Sequence, residues 1–249
     1  MNIKLKHCDN IRDLGYIDNL KENKIIRSKR LDDLEKEEVK KLKDENNLKL
    51  VIDLRTVNEA KSTPYYEEFD IIYKAIPIFT DEIIGLSFGS NDFNSLLKDE
   101  NFSFKNLYDN LFKGEILTNI GLVIKEIVDF DYNKGSVLFH CTQGKDRTGI
   151  IAAILLLILD IDKDIIYKDY LYTNIVNKRR IRRIWLHTRI TKNKLAATNI
   201  KKVMRAEKEY LDSLFEYIDN NFNNYHEFFL SLGLNDNEID KFKKEVKNK

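Results

Sequence analysis

Short apolar runs between polar turns predict strands in the first 140 residues of the chain. The runs cover residues 24–28, 48–54, 69–78 and 135–140. The third run contains Pro77. Because proline cannot donate a hydrogen bond to a strand ladder, we expect this segment at a sheet edge or a strand end.

Helical spacing of apolar residues begins after the first of these runs. An amphipathic surface helix is predicted over residues 31–42, with Ser28 or Asp32 as its cap and Asn46-Asn47 beyond its end. Its apolar positions are Leu31, Leu34, Val39 and Leu42. Later segments with helical spacing are residues 107–130, 147–159, 165–174, 205–220, 225–232 and 235–246.

The longest apolar run, residues 149–159, is about half of the roughly 20 residues that a membrane-spanning helix needs. We therefore predict a helix buried in the core and no transmembrane segment. Residues 81–101 follow no pattern and contain glycine, serine and asparagine, which predicts a mobile excursion.

Strands that alternate with helices, followed by a helical C-terminal third, predict an α/β fold with a mostly parallel central sheet. Residues 1–249 are expected to form one domain. Within it, residues 1–170 would be the α/β core and residues 171–249 a helical extension packed on that core.

Composition narrows the protein class. The 249 residues include two cysteines, Cys8 and Cys141, which are too few for a disulfide scaffold and favour a reducing compartment. Charged residues interrupt the first seven positions, so no secretory signal is visible. These features predict a cytoplasmic protein.

The net charge of +1, from 42 basic and 41 acidic residues, hides an uneven distribution. Residues 171–206 contain eleven Lys and Arg and no Asp or Glu, which leaves 31 basic against 41 acidic residues elsewhere. Apolar residues such as Ile181 and Trp185 lie between the cations, so one face is expected to pack while the basic face is solvated. Residues 178–205 are alternatively an accessory that contacts an anionic substrate or lipid surface, or a nucleic-acid binder. Nucleic acid is not the expected partner.

The most informative segment is residues 140–149, His-Cys-Thr-Gln-Gly-Lys-Asp-Arg-Thr-Gly, between a predicted strand and a predicted helix. A strand that turns tightly into a helix directs successive backbone N–H groups and the positive end of the helix dipole to one point, which forms an anion site. These dipoles favour a thiolate at Cys141, with a pKa below the free value of about 8.5. Arg147 can hold two oxygens of a bound phosphate with its planar guanidinium group.

This arrangement suits nucleophilic attack on phosphorus. Cys141 is the predicted nucleophile, Arg147 stabilises charge on the phosphoryl oxygens, and a phosphocysteine intermediate forms. Asp146 is the predicted general acid. Thr148 is expected to hydrogen-bond the sulfur, and His140 to help hold the loop without transferring a proton. The predicted phosphate-binding residues are Thr142, Gln143, Gly144, Lys145, Arg147 and Thr148.

Other functions of this segment stay open. A buried cysteine is often only a small apolar core residue, and the same loop suits a non-catalytic phospho-ligand-binding module. A redox or thiol-transfer enzyme would need a partner thiol, and Cys8 is remote in sequence. A nucleotide-binding loop is excluded, because no glycine lies five positions before Gly144 and Asp146 stands where Ser or Thr is needed.

Residues 140–149 resemble the signature of the cysteine-dependent tyrosine phosphatases, specifically the bacterial family whose loop carries Gly-Lys-Asp-Arg-Thr-Gly. Further stretches match in family order: residues 10–15, residues 26–28 with Leu31, residues 51–55 with Glu59, Ile76-Pro77, and residues 169–174. The resemblance implies a central sheet flanked by helices, no metal or other cofactor, and a phosphorylated protein or phosphoinositide as substrate. It also implies that Cys141, Arg147 and Asp146 are the nucleophile, phosphate clamp and general acid.

Two residues depart from the family pattern. Tyr16 replaces a usual glycine, and Gln143 replaces a residue that is often small, so it either narrows the pocket or contacts substrate. The Trp-Pro-Asp acid loop of many eukaryotic relatives is missing, because Trp185 is the only tryptophan and Leu186 follows it. Asp81 is a reserve acid candidate or a solvated carboxylate.

The remaining charges near these motifs have two interpretations each. Lys145 is either a second cation beside the phosphate, as in family members that accept phosphoinositides, or a solvated or ion-paired lysine. Four further charged residues inside the family motifs are predicted to form a buried polar brace under the loop, and direct substrate contact is the alternative. These residues are Arg12, Asp13, Asp53 and Arg55.

Overall fold

The computed structural model describes residues 3–60, 65–79, 97–101, 103, 105–108 and 112–248. Its described strands form one five-stranded sheet in the order β1-β2-β5-β3-β4. The strands are β1 (Ile11–Asp13), β2 (Ile25–Ser28), β3 (Leu48–Asp53), β4 (Ile72–Ala75) and β5 (Ser136–His140).

The sheet is mostly parallel, as predicted. β2 and β5, β5 and β3, and β3 and β4 pair in parallel, whereas β1 pairs with β2 antiparallel. β4 is an edge strand and Pro77 follows its end, as expected of proline. β1 was not predicted, because its three residues include Arg12 and Asp13 and carry no apolar run.

Alternate residues of the central strands face two separate cores. On β5, Val137 and Phe139 belong to the larger cluster and Leu138 to the smaller one. The larger core also holds α4 (Asp146–Ile158), in which Arg147 through Ile158 are all buried. Its apolar surface therefore faces protein on all sides, and the prediction of a buried helix is confirmed.

The helix predicted over residues 31–42 is displaced along the chain. α1 spans Lys36–Asn46, and Glu35 is its N-cap in a capping box with Glu38, so Ser28 and Asp32 are not its caps. Leu31 and Leu34 are buried in the smaller core all the same. Both leucines reach the core from a turn that precedes the helix. Their spacing therefore imitates the apolar stripe of a helix that begins earlier in the chain.

The remaining helices largely match the predicted segments. Before β5 they are α2 (Lys105–Tyr108) and α3 (Gly114–Asp129). After α4 they are α5 (Lys163–Val176), α6 (Lys178–Thr191), α7 (Lys194–Met204), α8 (Lys208–Asn221), α9 (Tyr225–Ser231) and α10 (Asp236–Val246).

The basic stretch folds into a hairpin of α6 and α7, which share a small apolar cluster that includes Ile181 and Ile200. None of the helices that the structure describes has both the length and the apolar character to cross a bilayer. Residues 80–96, which include Asp81 and most of the predicted excursion, lie outside the described residues.

Candidate active site

Cys141 directly follows the carboxyl end of β5, where parallel strands place their connecting loops at one edge of the sheet. Residues 141–145 join this strand to α4, which begins at Asp146. Ser28 at the end of β2 and Asp53 at the end of β3 both lie opposite His140 in the ladder. The loop is therefore bordered by the segments that follow both neighbouring strands.

Three successive loop carbonyls are held by groups on the β1–β2 side. Arg30 N donates to Thr142 O at 3.4 Å, Asn10 Nδ2 to Gln143 O at 2.9 Å, and Arg27 Nη2 to Gly144 O at 3.0 Å. In a trans peptide the N–H of the next residue points away from the carbonyl. The amides of residues 143–145 are thus turned to the opposite side, where they are available to an anion at the start of α4.

Gly144 is required by this geometry. Its φ is +65°, and a Cβ at this position would lie 2.6 Å from backbone atoms of Ser28 and Lys29. Both the left-handed conformation and the close approach exclude a side chain. The glycine thus lets the loop turn its amides while it packs against the end of β2.

Cys141 and Thr148 are both buried, with 2% and 0% of their surfaces exposed. Thr148 Oγ1 has no hydrogen-bond partner in the described structure. A buried hydroxyl without a partner is costly, so this hydroxyl is available to a group that enters the loop.

His140 lies under the loop and is fully buried, with Nδ1 3.7 Å from Asp53 Oδ1. Burial lowers the pKa of His140, against the opposing charge of Asp53. A neutral imidazole without access to solvent is consistent with the prediction that His140 transfers no proton.

Arg147 is held in place by Glu59. Its Nη2 donates to Glu59 Oε1 at 2.8 Å, its Nη1 donates to Glu59 Oε2 at 2.5 Å, and Thr142 Oγ1 donates to Glu59 Oε1 at 2.7 Å. Burial lowers the pKa of Arg147, but the hydrogen bonds and charge of Glu59 outweigh this effect and raise it. The ring of Phe79 lies 5.2 Å from the guanidinium carbon. Sequence reasoning assigned Glu59 no role, although it lies within a family motif.

Asp146 is positioned by a tyrosine that sequence reasoning missed. Tyr108 Oη donates to Asp146 Oδ1 and lies 3.2 Å from Tyr170 Oη. Burial, followed by the charge of Asp146, raises the pKa of Tyr108, so the phenol stays protonated and can donate. The Asp146 side chain keeps 24% of its surface exposed. The carboxyl is therefore both oriented and partly exposed to solvent.

The ammonium of Lys145 contacts the end of α7 and the neighbouring Asp146. Its Nζ donates to Val203 O and, at 3.0 Å, to Arg205 O at the end of α7, and lies 3.2 Å from Asp146 Oδ1. Only 3% of its surface is exposed. The ammonium satisfies carbonyls at a helix C-terminus, where a cation is favourable, and ties the loop to the α6–α7 hairpin.

The predicted brace is centred on Asp169, which sequence reasoning had placed only in a family motif. Asp169 accepts from Arg12 Nε at 2.7 Å, from Arg27 Nη1 and from Tyr16 Oη at 2.9 Å. Tyr16, which departs from the family pattern, therefore adds a hydrogen bond to this buried group. Since Arg27 also holds Gly144, the brace supports the loop directly.

The other charges predicted for the brace lie in two different places. Arg55 pairs with Asp53 and Asp32 at 2.7 to 2.8 Å, next to β3. Asp13 instead accepts from the backbone of Gly15 and Asn23 and so stabilises a turn. Arg12 and Asp13 are neighbours on β1, so their side chains face opposite sides of the sheet and make separate contacts.

One cluster elsewhere in the described residues has the composition of a metal site. Ligand atoms of His7, Glu35 and Glu38 lie within 4.8 Å of one another. Glu38 already accepts hydrogen bonds from the backbone of Lys6 and His7 and forms the capping box of α1. These contacts give the cluster a structural role away from the loop.

Known phosphatases are similar to parts of this chain. A tyrosine-protein phosphatase of Nostoc commune is 32% identical over 127 residues, which are 49% of this chain and 39% of that protein. The triple specificity protein phosphatase PtpB of Mycobacterium tuberculosis is 50% identical over 38 residues, which are 15% of this chain and 14% of that protein. The chain thus spans less than half of the length of these relatives.

Among solved structures, P. aeruginosa TpbA matches with a TM-score of 0.42 and 10% identity, over 92% of this chain and 100% of that chain. A variant of TpbA in complex with pTyr matches with a TM-score of 0.43 and 10% identity, over 93% and 100%. The model of the tyrosine phosphatase family matches residues 3–247. The chain belongs to the tyrosine phosphatase family.

Proposed function

We propose that this protein is a cysteine-dependent phosphatase that hydrolyses phosphotyrosine through a phosphocysteine intermediate and without a metal ion. The observation that supports it best is the loop itself. Cys141 begins a turn in which three carbonyls are held outward and three amides face inward, beside the guanidinium of Arg147. A binding module has no need of the nucleophile.

In the first step the Cys141 thiolate attacks phosphorus, and the bond from phosphorus to the tyrosyl oxygen breaks. The amides of residues 143–145 and Arg147 stabilise the negative charge on the phosphoryl oxygens. Asp146, protonated in this step, gives its proton to the leaving oxygen.

In the second step a water molecule attacks phosphorus, gives a proton to Asp146, and releases the Cys141 thiolate with inorganic phosphate. Thr148 Oγ1, which is buried without a partner, donates a hydrogen bond to the departing sulfur. The pair of steps restores both Cys141 and Asp146 to their starting protonation states.

We further propose a substrate for this activity. Phosphotyrosine is the proposed main substrate, ahead of phosphoserine, phosphothreonine and phosphoinositides. Lys145 Nζ donates to the carbonyls of Val203 and Arg205, so the proposal does not use it as a contact for a polyphosphorylated headgroup. We also propose that residues 178–205 contact anionic groups. Residues 1–249 are proposed to form one phosphatase domain, supported by contacts of α8 with α4 and of Lys145 with the α6–α7 hairpin.

The proposed function is tested by phosphate release from p-nitrophenyl phosphate and from a phosphotyrosyl peptide. We expect turnover in the presence of EDTA and inhibition by vanadate, because vanadate adopts the geometry of the transition state in the loop. No phosphate release from either substrate, or turnover that EDTA abolishes, would contradict the proposal.

Replacing Asp146 with asparagine tests the role of the general acid. We expect hydrolysis of a substrate with a poor leaving group, such as an alkyl phosphate, to slow by about 10²-fold or more. Hydrolysis of p-nitrophenyl phosphate should fall by less than about tenfold, because its leaving group needs little protonation. Steady-state kinetics with both substrates measures the difference.

Asp240→Asn is the matched control, because Asp240 is an exposed residue of α10. It should leave both rates unchanged. Equal losses for the two substrates in Asp146→Asn would show that Asp146 positions the loop rather than donating a proton.

A further inference from the structure

An open cavity of about 560 Å³ adjoins the catalytic loop. Thr142 and Gln143 of the loop line it, so it lies beside the proposed phosphate site. We call it the arginine cavity. Its cationic lining residues are Lys29 and Arg30, which follow β2, and Arg179, Arg180 and Arg183 of α6.

Two acidic residues also line the arginine cavity, and both are paired. Asp9 lies 2.7 Å from Lys29 Nζ, and Asp33 lies 3.6 Å from Arg30. These ion pairs compensate the charges of Lys29 and Arg30. The uncompensated positive charge of the arginine cavity therefore comes from the arginines of α6.

Arg179, Arg180 and Arg183 form no ion pair with an acidic side chain within the part of the chain that the structure describes. The first turn of α6 contains no acidic residue either. Burial lowers the pKa of Arg180, and the charges of Arg30 and Arg183 add to this effect, while Asp9 opposes it. Like charges gathered on one wall repel each other, and an anion bound between them would relieve that repulsion.

Gln143 links the arginine cavity to the loop. Its side-chain Oε1 accepts from Arg180 Nη1 at 2.6 Å, while its backbone amide is one of those that face the phosphate site. The two anion-binding regions are therefore separated by about the reach of one side chain. Residues one or two positions apart have Cα atoms roughly 4 to 7 Å apart, so the side chain of a phosphorylated neighbour begins close enough to reach the arginine cavity.

The charge distribution around the arginine cavity favours a single phosphorylated side chain over a lipid surface. Asp9 and Asp33, which have 57% and 61% of their side chains exposed beside it, are paired with Lys29 and Arg30, so this side adds no net attraction for an anionic bilayer. The uncompensated positive charge lies on α6, where a single phosphorylated side chain can reach it. A phosphate also supplies close to two negative charges and three acceptor oxygens, which match planar guanidinium donors better than one carboxylate does.

We propose that the arginine cavity binds a second phosphorylated side chain of the same peptide substrate. The protein would then prefer peptides in which the phosphotyrosine has a phosphorylated neighbour one or two residues away. This inference rests on the proposed phosphatase function and assigns it a substrate class.

The test compares kcat/KM for a phosphotyrosyl peptide with and without a second phosphate one or two residues away. The wild-type protein is expected to prefer the doubly phosphorylated peptide by about tenfold or more, the effect of one charge-assisted contact. In the double variant Arg179→Ala/Arg183→Ala the preference should fall to about twofold or less. Arg182→Ala is the matched control: it removes an exposed arginine of the same helix that does not line the cavity, and it should keep the full preference.

A second measurement removes dependence on turnover. Calorimetric binding of the two peptides to Cys141→Ser protein should show the same ratio of affinities and the same loss in the Arg179→Ala/Arg183→Ala background. Thermal unfolding of each variant checks that the fold is retained.

The outcomes separate this inference from the function on which it rests. Hydrolysis of the singly phosphorylated peptide without any preference for the second phosphate would overturn the inference and leave the phosphatase function standing. A preference that survives the double variant would place the second phosphate elsewhere and also overturn it. Arginine dependence seen only with phosphoinositide vesicles would assign the cavity to a lipid instead. Hydrolysis of neither peptide, with no binding, would contradict the proposed function itself.

Discussion

Replacing Cys141 with serine is expected to lower phosphate release by at least about 10³-fold. A serine hydroxyl is not ionised near neutral pH, and the dipoles of the loop stabilise a thiolate far more readily than an alkoxide. The two side chains have similar shapes, so the loop should keep its anchors at Asn10 and Arg27. Vanadate or phosphate should therefore still bind to the variant, and calorimetry measures this beside the steady-state rate.

Cys8→Ser is the control for the loss of a thiol. Cys8 is buried in the smaller core, and burial raises its pKa to about 12, so it remains an unreactive thiol. Folded Cys8→Ser protein should keep its turnover. Retained turnover in Cys141→Ser would exclude the covalent mechanism, and equal loss in both variants would favour a dithiol redox function instead.

Replacing Asp169 with asparagine is expected to reduce the free energy of unfolding by about 3–5 kcal/mol, because it leaves two buried guanidinium groups without a compensating charge. Arg12 and Arg27 both pair with this carboxylate, and the side chains of all three residues are 1% exposed. Arg27 also holds Gly144 O, so the turnover of the folded variant should fall as well. Urea denaturation followed by circular dichroism measures the change in stability.

The ion pairs of Asp169 with Arg12 and Arg27 also make stability depend on pH. Burial raises the pKa of Asp169, but Arg12 and Arg27 outweigh this effect and lower it. The stabilisation by the carboxylate is thus fully present above the unfolded pKa of about 3.9 and is lost as the pH falls further. Wild-type protein should lose stability below about pH 4 through this group, and Asp169→Asn should lack that component.

Asp164→Asn is the matched control on the same helix. Asp164 is exposed in the first turn of α5, so its loss should cost only about 0.5 kcal/mol through the helix dipole. A change of less than about 1 kcal/mol in Asp169→Asn would show that the buried arginines find other partners and that the brace is not a main support of the loop.

Hydrophobic pattern was sufficient to find the central strands and the helices that flank them. β5 and α4 were predicted almost residue for residue, because both are buried on all sides and apolar content alone marks them. α1 was misplaced because Leu31 and Leu34 contribute to the core from a turn, and periodicity does not distinguish a helix from a well-packed turn. Hydrophobic pattern does not predict β1, because the stability of this strand comes from pairing with β2 rather than from apolar residues.

In the candidate site, the predicted residues that are close in sequence lie together in the structure. Cys141, Asp146 and Arg147 lie within one turn between a strand and a helix, so local geometry brings them together. Their partners come from distant segments: Glu59 for Arg147 and Tyr108 for Asp146. No local pattern predicts a contact across 38 or 88 positions of sequence, and for the same reason the contact of Lys145 with the end of α7 was missed.

The mostly parallel α/β fold, the cysteine-containing loop at residues 140–149 and the uneven charge hidden in a net value of +1 can all be derived from the amino-acid sequence. Local propensity and the spacing of a few residues are enough for each of these. The use of the individual charges, in contrast, depends on tertiary contacts. The carboxylate of Asp169 neutralises two arginines from separate strands, Lys145 caps a helix, and three arginines of α6 line a cavity beside Gln143. The role of each charged side chain depends on the groups that lie within a few ångströms of it. Those groups come from distant parts of the sequence, and only folding brings them together.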